Sequence, residues 1–162
     1  MDPDIVLSVS VTTRDPREGE EHGREYFFIN QEEYMKLLDE GGLLEHASVY
    51  GETLYGTPKE PVVKWLEEGR DVILEIDVQG AFQVRDNYPD CVLIFVLPPS
   101  MEELKARITG RGTESEENIA ARLAEAEGEI RLSDRYDYRI VNEDIDQATR
   151  DLYDIIKKER EA

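Results

Sequence analysis

Hydrophobic and polar positions change rhythm several times along the chain, and each change marks an element. From Ile5 to Val11, IVLSVSV alternates with period two, as a strand with one covered face does. EYFFI, Glu25 to Ile29, reads as a second short strand. The rhythm then lengthens to a helical one in NQEEYMKLLDEGG. Asn30 can cap that helix, Glu33 stands three residues on as a capping box requires, and Gly41 with Gly42 stops it. TPKEPVVKWLEEG repeats the scheme, with Thr57 as cap, Pro58 at the first helical position and Gly69 as stop.

The next two apolar stretches are short and nearly continuous. DVILEIDV, Asp71 to Val78, reads as a buried parallel strand whose two carboxylates, Glu75 and Asp77, sit two apart on one face at its C-terminal end. CVLIFVLPPS is a second such strand, stopped by Pro98 and Pro99, with Cys91 as a small core side chain. Ser100 opens another helix through the capping box SMEE, and TGRGTESEE interrupts it as a mobile loop. Ile119, Leu123, Ala126 and Ile130 then recur at helical spacing, YRIVN is a final strand, and an amphipathic helix closes the chain. Strand and helix alternate almost throughout, so the fold class is α/β with a mainly parallel sheet.

Length and charge narrow what such a domain does. A chain of 162 residues fits one domain, and no apolar run approaches the eighteen or so residues of a membrane span, so a cytoplasmic protein is expected. Its 38 acidic against 19 basic residues give a net charge of −19, which repels nucleic acid and anionic membranes. The acidic excess is spread along the chain, a pattern that fits a salt-adapted source. The single cysteine has no intramolecular partner, and His22 and His46 lack Cys/His neighbours at ligand spacing, so no metal site is built on them.

Positive charge in this acidic chain is therefore informative where it clusters. In SVSVTTRDPREGE, Pro16 stiffens the turn that carries Arg14 and Arg17, whose planar forks suit phosphate oxygens. The competing reading makes them surface arginines matched to Asp15, Glu18 and Glu20. Tyr26 and Tyr55 can donate hydroxyls to the same phosphate or serve as half-buried packing residues. Glu45, at the end of a helix or start of a strand, can accept two N–H bonds from a guanine edge, with Ser10 and Thr57 supplying hydroxyls. Glu75 and Asp77 either position substrate hydroxyls and a magnesium water or pair with Arg14 or Arg17. Arg107, Arg111 and Arg122 flank a glycine-hinged loop, as a lid over a transferring phosphoryl group would, or form a charge-rich loop and nothing more.

Taken in order and spacing, SVSVTTR, YGTP, VILEIDVQGA, IFVLPPS and GRGTESEE resemble guanylate kinase, a nucleoside monophosphate kinase family, nearly end to end. The resemblance implies a P-loop-kinase-like parallel sheet with flanking helices over the single domain 1–162. Within it, about 8–57 would form a small β-containing GMP-binding subdomain, about 71–99 and 136–162 the core, and about 107–122 the lid. It implies transfer of a phosphoryl group from ATP, with Mg2+, to GMP. Ser10, Glu45 and Thr57 would read guanine; Arg14, Arg17, Tyr26 and Tyr55 would hold the acceptor phosphate, with Glu75 and Asp77 beside it; Arg14, Arg107, Arg111 and Arg122 would offset charge in transfer. No residue would hold the metal directly, and Asp77 would reach it through water.

The family pattern also places a strand, a glycine-rich phosphate loop and a helix before SVSVTTR, and these 162 residues contain no Gly-x-x-x-x-Gly-Lys-Ser/Thr. A βα unit of about 25 residues is thus expected to be missing. The expectation is a chain that binds GMP but turns over little alone, with self-association as one way to cover the gap in the sheet. The alternative is a kinase-dead interaction domain that takes a phosphopeptide in the GMP groove.

Overall fold

The computed structural model describes residues 2–49, 52–110 and 115–162, and divides into two compact units, 1–91 and 92–162. In the first unit, β1 (Ile5–Leu7) does not run on into β2 (Ser10–Thr12), although IVLSVSV reads as one strand. The chain leaves one sheet and joins another at Ser8 and Val9. Period-two alternation fixes which face is covered and leaves open which strand lies alongside.

The β2 strand sits inside a four-stranded mixed sheet of order β3-β2-β5-β4 with β3 (Tyr26–Phe28), β4 (Leu43–Val49) and β5 (Thr53–Pro58). Its pairing with β3 is parallel and with β5 antiparallel, and β4 pairs antiparallel to β5. Tyr26 thus lies on β3 and Tyr55 on β5, and Glu45, expected at the end of a helix or start of a strand, belongs to a strand interior.

Helix α1 (Gln31–Asp39) opens on the capping box read from the sequence: Glu33 N–H donates to Asn30 Oδ1 at 2.8 Å and Asn30 N–H to Glu33 Oε1 at 3.4 Å. Gly41, at φ +70°, ends it in the left-handed region that favours glycine. The one fully buried residue of α1, Tyr34, donates its hydroxyl to Tyr55 O at 2.8 Å and so ties the helix to β5.

Helix α2 (Lys59–Glu67) corrects a second expectation. Its cap is Pro58, with no side-chain hydrogen bond, and Thr57 belongs to β5. The Thr57 hydroxyl cannot cap because it is spent on Glu45. Strand β6 (Asp71–Ile73) pairs parallel with β1 and is shorter than DVILEIDV suggests. Glu75 and Asp77 lie beyond it and do not share a strand face. Asp77 instead caps α3 (Val78–Asn87), accepting Gly80 N–H at 2.9 Å, where the apolar run before it makes Asp77 read as the strand's end.

Gln83 docks α3 on β4 in both directions: His46 N–H donates to Gln83 Oε1 and Gln83 Nε2 to His46 O, each at 2.9 Å. Val11, Tyr34, Leu44, Val62, Val78, Ala81 and Val84 form the buried apolar set of this unit.

In the second unit, β7 (Ile94–Leu97) pairs parallel with β8 (Tyr138–Val141), and Leu93 and Ile140 are buried. Cys91, the last residue of the first unit, precedes β7 in the chain and is half-buried, not a core strand residue. Helix α4 (Met101–Thr109) is capped by Ser100, which accepts Glu103 N–H at 3.0 Å. Helices α5 (Glu116–Leu132) and α6 (Ile145–Glu161) follow. Among the described residues no helix is long and apolar enough to cross a membrane.

Candidate functional site

The alternation in SVSVTTR acquires its meaning from the register of the mixed sheet. Ser10 lies opposite Tyr26, Thr12 opposite both Phe28 and Tyr55, and Glu45 opposite Thr57. Because side chains alternate across a strand, Ser10, Thr12, Tyr26, Phe28, Glu45, Tyr55 and Thr57 share one face, and Val11 and Phe27 take the other. One sheet face therefore gathers five of the residues singled out by sequence.

Glu45 and Thr57 form its most buried polar contact. They are 4% and 1% exposed, and Thr57 Oγ1 donates to Glu45 Oε1 at 2.8 Å. No group among the described residues hydrogen-bonds the second oxygen, Oε2, which lies against helix α3. A Cβ built on Gly80 would stand 2.6 Å from Oε2 and 3.4 Å from Asp77 Oδ1, so only glycine lets the carboxylate approach the helix here. Burial pushes the Glu45 pKa up; the Thr57 hydroxyl opposes this and the Asp77 charge adds to it. The result is a desolvated carboxylate with one free oxygen, beside a second carboxylate. That arrangement accepts N–H groups arranged as in an amidine, the edge that guanine presents.

Arg14 follows β2 and packs its guanidinium over the rings of Tyr26, at 5.0 Å, and Phe28, at 5.8 Å. The Tyr26 and Tyr55 rings are 5.8 Å apart. Arg14 donates to Glu20 through Nη1 at 2.7 Å and Nη2 at 2.9 Å, which selects Glu20 from the three acidic neighbours the sequence offered. Glu20 is the chief cause that raises the Arg14 pKa, with Tyr55 adding to it, so this cation is permanent. Arg17 Nα donates to Glu20 Oε1 at 2.7 Å, and its exposed guanidinium makes no hydrogen bond or ion pair among the described residues. Neither arginine pairs with Glu75 or Asp77, both of which are exposed.

The lid candidates divide. Arg107 lies on α4 and pairs with Glu103 at 3.4 Å, Arg122 is half-buried on α5, and Arg111 lies outside the described residues. Residues 115–122 open α5 behind the cap Ser115. Among the described residues no three His, Cys, Asp or Glu side chains gather as metal ligands, and Asp77 Oδ1 is occupied by the Gly80 amide.

Sequence reasoning missed Gly80 and Tyr34. Asp77 three residues before Gly80 is a capping signal that would have located the first; nothing local marks Tyr34, whose partner Tyr55 is 21 residues away.

A sequence model described as guanylate kinase matches residues 2–159. A guanylate kinase of Caldanaerobacter subterraneus subsp. tengcongensis is 50% identical over 157 residues, 97% of this chain and 76% of the relative. One from Clostridium tetani is 50% identical over 154 residues, covering 95% and 74%. The crystal structure of guanylate kinase from Anaplasma phagocytophilum superposes with a TM-score of 0.81 at 40% identity, over 96% of this chain and 76% of that one.

Proposed function

Since the chain belongs to the guanylate kinase family, we propose that the shared face of its mixed sheet is the acceptor site for GMP. The observation that carries this reading is the buried Glu45–Thr57 pair, whose one unoccupied carboxylate oxygen fits the N1–H and 2-amino donors of guanine. Ser10 stands on the same face and Asp77 beside Glu45. Arg14, Arg17, Tyr26 and Tyr55 hold the 5′-phosphate: Arg14 as a fixed cation on an aromatic bed, Arg17 as an exposed cation whose guanidinium makes no ion pair among the described residues.

The family uses ATP with a divalent metal. In this reading the metal is part of the Mg–ATP co-substrate and is carried by its phosphates, with no set of protein ligands of its own. Arg107, Arg111 and Arg122 supply positive charge from the lid. The 162 residues hold no Gly-x-x-x-x-Gly-Lys-Ser/Thr loop to cradle the ATP phosphates, and phosphoryl transfer depends on such positioning. Taken by themselves they bind GMP and turn it over slowly. The cytoplasm, where GMP and ATP are available, is the compartment this reading assigns.

Thermal unfolding with nucleotides tests the site apart from turnover. GMP raises the midpoint and AMP does not, and Glu45→Gln removes the difference. Equal shifts from both nucleotides would remove the guanine assignment. A coupled assay of ADP release from ATP and GMP tests the slow turnover, and ordinary kinase rates would refute it.

A further inference from the structure

Glu20 has no part in the acceptor site as described so far, yet its carboxylate accepts three hydrogen bonds from the arginine loop. An arginine has five N–H donors; on Arg14 three go to Asp15 and Glu20, and the Tyr55 hydroxyl lies beside the group as a further polar partner. Nη1 donates to Asp15 O at 3.0 Å and to Glu20 Oε1 at 2.7 Å, and Nη2 gives one to Glu20 Oε2 at 2.9 Å. Glu20 thus takes the end of the fork and leaves the side edge, Nε–H with the second Nη2–H, clear of carboxylate. Nε is buried and has no hydrogen-bond partner among the described residues. A buried N–H without an acceptor is costly, and a ligand oxygen reaching it removes that cost. The side edge matches two oxygens of one phosphate group.

The same carboxylate also receives the Arg17 backbone N–H at 2.7 Å, so it closes the segment from Arg14 to Glu20 into a ring of contacts. Only 14% of the Arg14 side chain and 17% of the Glu20 side chain are exposed, unlike an ordinary surface ion pair. Arg14 first and the Arg17 amide second hold Glu20 down at about 2, so it remains ionised wherever GMP binding is measured.

We propose that Glu20 is a positioning residue for the acceptor phosphate: it holds the end of the Arg14 fork and the Arg17 amide together, and so presents the side edge of Arg14, with its unpartnered Nε–H, to the phosphate oxygens. This rests on the reading of Arg14 as a phosphate residue. A carboxylate near a phosphate also repels it, so a Glu20 that only filled the empty site would oppose GMP. The bond to the Arg17 amide separates the two roles, because it organises the loop without occupying the side edge.

Calorimetric titration of the full chain with GMP and with guanosine, which lacks the phosphate, decides the matter. Arg14→Lys must first weaken GMP and leave guanosine unmoved; if the wild type binds no GMP, or Arg14→Lys changes nothing, the acceptor-site reading fails and this inference with it. With that reading intact, Glu20→Ala weakens GMP about tenfold or more, leaves guanosine unchanged, and adds no further loss in the Arg14→Lys background. Glu20→Gln, which keeps one acceptor, gives an intermediate loss and serves where the alanine variant does not fold. The Arg14 Nε–Hε resonance, shifted by GMP in the wild type, loses that response in Glu20→Ala. GMP binding unchanged or tightened in both Glu20 variants overturns the inference and leaves the acceptor site standing.

Discussion

Replacing Thr57 by valine keeps the shape of a side chain that is 1% exposed and removes only its hydroxyl. β-branched valine suits the strand position, so the change isolates one hydrogen bond, the 2.8 Å contact to Glu45 Oε1. A hydrogen bond to a buried charged group contributes about 1.5–3 kcal/mol, and about 2 kcal/mol of stability should be lost at neutral pH. The pH dependence identifies the partner. The folded Glu45 pKa lies above its ordinary value, so ionised Glu45 costs stability, a cost absent below the ordinary carboxylate range and growing as pH rises from there through the folded value. The Thr57 hydroxyl lowers that pKa and limits the cost. Thr57→Val must therefore cost less at about pH 4, below the ordinary carboxylate value, than at about pH 8, because protonation of Glu45 removes the charge that the hydroxyl serves. Urea unfolding at both values, in wild-type and Glu45→Gln backgrounds, measures this. A loss of the same size at both pH values, or one undiminished in Glu45→Gln, would refute the description of Glu45 as a buried charge held by Thr57.

Gly80→Ala opposes a helix-propensity gain of about 1 kcal/mol to an overpacking cost of about 1–3 kcal/mol, since its Cβ would meet Glu45 Oε2 at 2.6 Å. The variant should be less stable in urea and bind GMP more weakly, and a stabilised protein with unchanged GMP affinity would show that Glu45 does not depend on this approach. The net charge of −19 predicts that the melting midpoint rises between dilute buffer and molar potassium chloride, as screening relieves repulsion; the same midpoint in both would remove the salt-adaptation reading.

The parts legible in the sequence were those written in local chemistry. Asn30 with Glu33 announced α1, Ser100 announced α4, and the α/β class followed from alternating rhythms. The family followed from segments whose order and spacing persist nearly end to end. What escaped was non-local. The break between β1 and β2 depends on partners 16 to 66 residues away, because β1 joins Asp71 while β2 joins Tyr26 and Gly56. Thr57 reads as a helix cap until its strand partner Glu45, twelve residues earlier, claims the hydroxyl. Asp77 reads as the end of a strand until its side chain is seen on the Gly80 amide. The arginine loop lay between: sequence placed Glu20 among three possible partners of Arg14, and the two-pronged contact with the added Arg17 amide is a property of the turn.

The central claim is that the shared sheet face reads guanine through Glu45, and calorimetric titration of the chain with GMP, IMP and AMP tests it most directly. IMP lacks the 2-amino donor, and AMP presents an acceptor where guanine has N1–H, so it would leave a buried carboxylate oxygen unpaired. The account predicts a graded order, with IMP about tenfold and AMP about a hundredfold or more weaker than GMP. Equal affinity for GMP and AMP, or no binding of GMP, would contradict it.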